Sequence, residues 1–149
     1  MAHFESEHRE TFHVTAPIEK AIAHFSDLER IIQLRQAEAE RIVQTEPGVL
    51  HFLMKARSAK GATFQAEYFC RYRVDGTRFE WRSEGQSNMS VMGTAQFSVE
   101  GGRTRVEWVE KVEAELPVGT VLGKLLSPIV AFEMRRGMKE YVENMRRCL

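Results

Sequence analysis

No stretch of this 149-residue chain approaches the ~20 consecutive apolar residues that a membrane-crossing helix needs, so no stable membrane insertion is expected. The charged opening, Met1 to Glu10, lacks the apolar core of a secretory signal. The expectation is a soluble, cytoplasmic protein. Cysteine is scarce: Cys70 and Cys148 lie far apart, with no CxxC pair and no Cys/His cluster. That removes the signals of a disulfide framework and of a structural zinc site. Charge of one sign is also missing, because 21 Lys and Arg balance 21 Asp and Glu. No net field draws the chain to a polyanion, and no nucleic-acid partner is expected.

Catalytic signatures are equally sparse. There is no GxSxG elbow, GxGxxG fingerprint or Walker loop, and Gly101-Gly102-Arg103 reads as a hairpin tip. The five histidines show no HExxH or paired-ligand spacing. No cofactor or metal is expected, and no catalytic residue stands out by motif. Internal repeats, linkers and low-complexity runs are absent too. The length suits a single domain over residues 1–149.

What is present is periodicity. Phe4, Ser6, His8, Glu10, Phe12 and Val14 alternate with charged neighbours, which predicts a strand. Thr15-Ala16-Pro17-Ile18-Glu19 then carries a capping residue, a first-turn proline and a carboxylate suited to a helix dipole. Ile18, Ala21, Ile22 and Phe25, then Leu28, Ile31 and Ile32 after the Ser26-Asp27 interruption, predict two short helices in series.

Beyond Gln36 the turn signals Pro47-Gly48, Lys60-Gly61, Asp75-Gly76 and Gly101-Gly102 divide extended segments into an antiparallel meander. One apolar stripe runs Phe64, Ala66, Tyr68, Cys70, Tyr72, Val74; another alternation runs Thr77, Phe79, Trp81, Ser83. Segments from Met89 to Val99 and from Val106 to Ala114 complete six strands after the helices, seven in all. From Val118 to Arg147, apolar residues recurring at three and four predict a long amphipathic helix. Pro128 is expected to kink or restart it, with Ser127 as a cap.

That order, with Val14-Thr15-Ala16-Pro17-Ile18-Glu19-Lys20 leading to Phe25-Ser26-Asp27-Leu28-Glu29, resembles the START-related (SRPBCC, birch-pollen-allergen-like) superfamily. The close, Leu116-Pro117-Val118-Gly119-Thr120-Val121-Leu122-Gly123-Lys124-Leu125, is similar to that of the polyketide cyclase/dehydrase and coenzyme-Q-binding branch. The resemblance implies an α+β helix-grip fold, in which a curved seven-stranded antiparallel sheet grips a long kinked C-terminal helix. It also implies a cavity between them that binds a hydrophobic small molecule or lipid.

The informative positions are polar ones on apolar strand faces: His8, Glu10, Ser83 and Glu110. A buried carboxylate needs an ion, a hydrogen-bond network, water or a ligand. A bulge in either long strand would instead turn these side chains to solvent. If the first and last strands are neighbours, Glu10 and Glu110 approach each other and one titrates high. Arg135 or Arg136 offers a cation that could reach inward to neutralise a cavity carboxylate.

Phe64, Tyr68, Tyr72, Trp81, Phe97 and Trp108 fall on the inward strand faces, as do Phe12 and Phe79, with Ile129, Phe132 and Tyr141 on the helix. They suit either a pocket lining or plain core. The candidate ligand-binding set is therefore His8, Glu10, Phe64, Tyr68, Tyr72, Trp81, Ser83, Phe97, Trp108, Glu110, Ile129 and Phe132. Two other functions remain open. One is a cyclase or dehydratase acting on a polyketide-like substrate through Tyr68 or Tyr72 with a cavity carboxylate or His8. The other, implied by the resemblance, is a ribosome-interacting inhibitor of translation. Nothing in the residues fixes an oligomeric state.

Overall fold

In the computed structural model, which describes residues 1–149, the alternating first segment forms strand β1 (Ala2–Val14), and its partner is the last strand, β9 (Arg103–Leu116). They pair antiparallel from Ala2 opposite Leu116 to Val14 opposite Thr104 without a register shift. Between them run helices α1 (Ile18–Phe25) and α2 (Leu28–Arg35), a short 3-10 turn (Gln36–Glu38), then β2 (Ala39–Glu46), β3 (Val49–Met54), β4 (Arg57–Ala59), β5 (Ala62–Phe64), β6 (Glu67–Asp75), β7 (Arg78–Glu84) and β8 (Met89–Glu100). Helix α3 (Thr120–Arg147) closes the chain.

Seven strands make one antiparallel sheet in the order β1-β9-β8-β7-β6-β3-β2, matching the strand count expected from periodicity and the arrangement implied by the resemblance. Strands β4 and β5 form a separate hairpin, which alternation alone does not separate from the main sheet. The stripe from Phe64 to Val74 reads as one strand, but Phe64 ends β5 and β6 begins at Glu67. Alternation is blind to this break because Ala66 and Tyr68 keep the inward parity on its far side.

The interruption between the short helices is where expected. Asp27 caps α2 by accepting the Glu29 N–H at 3.1 Å. Pro17, not Thr15, stands at the N-cap of α1 and carries no side-chain cap.

Helix α3 does not restart at Pro128. The helix runs unbroken from Thr120 to Arg147, and Ser127 caps nothing. The missing N–H deprives the Lys124 carbonyl of its partner, but Lys124 and Pro128 both lie on the solvent side. Gly123 and Leu126 before the proline and Met138, Val142 and Met145 after it are buried, which anchors both halves against the rest of the protein. Gly123 permits close approach: a β-carbon there would lie 2.7 Å from Cβ of Ala2 in β1.

One end of the space between α3 and the sheet is solid. Phe25 of α1 sits at its centre, 5.9 Å from the Phe12 ring, 5.8 Å from Phe97 and 5.9 Å from Trp108. His24, beside it, is buried and donates from Nε2 to the Met145 carbonyl at 2.7 Å, which ties α1 to α3. Burial holds its imidazole below the ordinary histidine range, partly opposed by that hydrogen bond. No helix is long and apolar enough to cross a membrane.

Candidate functional site

Toward the other end, beneath the middle of α3, the space stays open as a cavity of about 630 Å³. Its walls are the inner faces of β9 (Val112, Ala114, Leu116) and of α3 (Leu126, Val130, Met134, Met138), with the β4–β5 hairpin (Ala59, Ala62, Phe64) along one side. The hairpin is held against α3 by Arg57, 3.7 Å from Glu133. Behind it, the Gln65 amide donates to the Met54 carbonyl at 2.9 Å and Asn88 Nδ2 donates to the Gln65 carbonyl at 2.8 Å. These bonds stand in for the ladder that the main sheet would otherwise supply.

The polar residues of the lining differ in depth. Arg57, Ser58 and Glu133 accompany the hairpin, while Arg35, Glu110 and Tyr141 gather at the end of α2 and the middle of β9. The guanidinium of Arg35 lies 5.4 Å from the centre of the Phe52 ring and 5.7 Å from that of Tyr141, and it donates to the Tyr68 hydroxyl at 3.3 Å. Burial raises the Tyr68 hydroxyl above the ordinary tyrosine range, against the pull of Arg35, and drives those of Tyr72 and Tyr141 well above it. It pushes the Cys70 thiol up to about 12. All four are neutral at physiological pH and act as hydrogen-bonding groups, not as anions or nucleophiles.

Glu110 is the buried carboxyl of the site. It stands in a row straight across the sheet: Tyr72 opposite Trp81, Trp81 opposite Gly93, Gly93 opposite Glu110 and Glu110 opposite His8. Because residue 93 has no side chain, the Trp81 indole lies over β8 and its Nε1 donates to Glu110 Oε2 at 2.9 Å. A β-carbon at Gly93 would overlap that ring and lie 2.6 Å from Trp81 Nε1. Burial raises the Glu110 carboxyl above its ordinary range, against the pull of the Trp81 hydrogen bond, Arg35 and His8.

The bulge explanation for these inward polar residues is therefore overturned. The β1–β9, β7–β8 and β8–β9 ladders run without a shift, and the irregularities lie in the β2–β3 pairing. The first and last strands are neighbours as anticipated, yet Glu10 stands opposite Trp108, not Glu110. Glu10 accepts from His8 Nε2 at 2.9 Å and from Arg146 at 3.2 Å. Burial, not Glu10, is what lifts Glu110. Arg135 and Arg136 do not reach inward either: both are exposed, and Arg136 pairs with Glu133 at 2.6 Å. The cation beside Glu110 is Arg35.

Of the residues singled out from sequence, Phe64, Glu110 and Ile129 line the cavity. Tyr68 and Tyr72 lie behind Arg35 and Trp81, where Tyr72 stacks 5.9 Å from Phe79. Trp81, Phe97 and Trp108 belong to the packed aromatic core, with Trp81 and Trp108 4.7 Å apart. The indole N–H of Trp108 is buried without a partner. His8 and Glu10 sit between β1 and the C-terminal half of α3. Ser83 accepts the Val91 N–H at 2.9 Å near the end of the β7–β8 ladder. Phe132 faces solvent with Val121 and Leu125 on the outer side of α3, and Ile129, itself 40% exposed, stands at the rim between that side and the cavity.

The polyketide cyclase / dehydrase and lipid transport family matches residues 5–147 of the chain. The chain belongs to that family. No curated protein sequence matches it. Among solved structures, a protein from Thermus thermophilus is similar with a TM-score of 0.64 at 22% identity, over 95% of this chain and 94% of that one. A protein from Deinococcus radiodurans is similar at 0.59 and 15% identity, over 95% of each chain. A point mutant of norcoclaurine synthase from Thalictrum flavum, solved with a transition state analogue, is similar at 0.62 and 10% identity, over 99% of this chain and 96% of that one. At these identities the likeness is one of fold, and it is the helix-grip architecture described above. The residues that give this family member's cavity its chemistry, Arg35 and Glu110, come from its own geometry.

Proposed function

We propose that this protein binds a hydrophobic small molecule or lipid between α3 and the inner face of the sheet. One observation carries the reading: 15 of the 23 residues around the 630 Å³ cavity are apolar. Size and lining are those of small-molecule sites, which combine apolar walls with a few placed polar groups. Met89 on the sheet side and Met134 and Met138 on the α3 side supply side chains that adapt to irregular ligands. Work in a reducing compartment such as the cytoplasm suits the two unpaired thiols.

Native mass spectrometry of the purified protein, with organic extraction, tests this. A co-purifying apolar molecule, or saturable uptake of the neutral dye Nile red at one site per chain, is the expected result. Failure of both would overturn the proposal.

A second reading is favoured by Glu110. A buried carboxyl held toward its neutral form beside Tyr141 and a cavity is the arrangement a general acid or base needs. In a cyclase or dehydratase Glu110 would move the proton and Arg35 would steady charge developing on a carbonyl oxygen. If polyketide-like substrates are turned over, Glu110→Gln should abolish turnover while keeping binding. Unchanged turnover in that variant would remove Glu110 from the chemistry.

A further inference from the structure

We infer that the ligand is an amphiphile with an oxyanionic head, a carboxylate or phosphate, seated on Arg35 at the inner end of the cavity with its apolar part running toward α3 and the hairpin. This inference rests on the reading of the cavity as an apolar-ligand site and adds the class of head group.

Arg35 is the last residue of α2, and its permanent positive charge borders the cavity. A guanidinium carries five N–H donors. One hydrogen bond is made, to Tyr68, and the nearest carboxylate, Glu38, stands 4.0 Å from Nε, beyond hydrogen-bonding reach. The flanking rings of Phe52 and Tyr141 offer their faces but accept no conventional hydrogen bond from the planar edge. Its side chain is 23% exposed, so the unused donors open onto the cavity, and a cation so far withdrawn from water is costly unless something pairs with it.

Nothing on the protein neutralises it fully. Glu110 spends its carboxyl on Trp81, and burial biases that carboxyl toward the uncharged form. Glu38 also borders the cavity, but 43% of its side chain is exposed, where water screens it. Lys55 and Arg57 add positive charge to the lining and Glu38 and Glu133 negative charge, with Arg57 paired to Glu133 and Lys55 in no ion pair. The unfilled need at the inner end is therefore an acceptor with negative charge. Carboxylate and phosphate match the fork of a guanidinium, and such charge-assisted bonds are stronger and more directional than neutral ones. A neutral head would leave donors unused, and a cationic head would be repelled.

The test compares four probes of equal chain length by calorimetry: palmitate, hexadecyl phosphate, hexadecanol and hexadecyltrimethylammonium, below their aggregation thresholds. The unmodified protein should bind palmitate or hexadecyl phosphate at least about tenfold more tightly than hexadecanol, and the ammonium probe least. Whichever anion is stronger identifies the head as carboxylate or phosphate. Arg35→Met, of similar length without the charge, should remove the preference and leave hexadecanol binding within about twofold, and Arg35→Lys should restore part of it. If the Met variant does not fold, the four-probe series on the unmodified protein decides alone. Equal binding of anion and alcohol, or a preference that survives in Arg35→Met, overturns the head-group inference while the cavity reading stands. Binding of none of the probes overturns both.

Discussion

Replacing Gly93 by alanine adds one methyl group at the place where the sheet is least able to accept it. The new β-carbon would occupy the space of the Trp81 indole. Flanking strands pair with β8 on both sides, so the backbone cannot easily retreat. The indole has to move instead, and its bond to Glu110 breaks. Overpacking of a tight interior costs about 1–3 kcal/mol, and a buried acceptor left without its donor about 1–3 kcal/mol. Alanine recovers roughly 0.5–1 kcal/mol by restricting the unfolded chain. The net expectation is a loss of about 1–5.5 kcal/mol, centred on about 3, or roughly 2–22 °C in melting temperature for a chain of this size. Urea denaturation followed by circular dichroism and tryptophan emission measures it. The cause can be isolated in a Trp81→Phe background, where the overlapping part of the ring is absent: Gly93→Ala should then cost less than about 1 kcal/mol, a strong departure from additivity. If Gly93→Ala costs under about 0.5 kcal/mol with unaltered emission, or costs the same in both backgrounds, the reasoning about this row of residues is refuted.

Glu110→Gln should change how stability depends on pH. Burial raises the folded carboxyl above the unfolded value near 4.5, so between the two values the folded state holds the extra proton and stability falls as pH rises. The glutamine variant, which still accepts from Trp81, should match the parent near pH 4 and exceed it at pH 7, by about 1.4 kcal/mol for each tenfold change in acidity; an unchanged difference across that range would contradict the assignment. His24 acts in the opposite window. Its folded value lies below 6.5, so the unfolded chain takes up the proton first and stability should drop as pH falls below about 6.5. His24→Gln should flatten that slope, and a slope that persists would point to another group.

Much of the fold is legible in the sequence because the long strands alternate cleanly and the turns carry their own markers. The pairing of β1 with β9, 13 residues without a slip, keeps every inward side chain of the first segment inward in space. The hairpin β4–β5 is hidden because its parity agrees with that of β6. Helix α3 passes through Pro128 because tertiary burial on both sides outweighs one lost hydrogen bond.

The site is less legible. Glu110 could be found as a charge on an apolar strand face, but its partner could not: the reach of Trp81 across Gly93 depends on a cross-strand register. Arg35 carries no signal at all, since an arginine closing a short amphipathic helix usually faces water. The aromatics Phe97 and Trp108 share the inward parity of Glu110 and yet fill solid core, because parity gives the face and not the depth along it. What separates core from cavity is the placement of α1, whose Phe25 plugs one end and leaves the other open.

The central claim, that the space under the middle of α3 holds an apolar ligand, can be read from the protein's seven methionines. Met54, Met89, Met134 and Met138 line the cavity, Met1 and Met92 are exposed, and Met145 is fully buried away from it. With methyl-labelled methionine, titration of hexadecanol or palmitate should shift the four lining resonances together and leave Met1, Met92 and Met145 in place. Shifts confined to Met1 and Met92, or none at saturating ligand, would contradict the account.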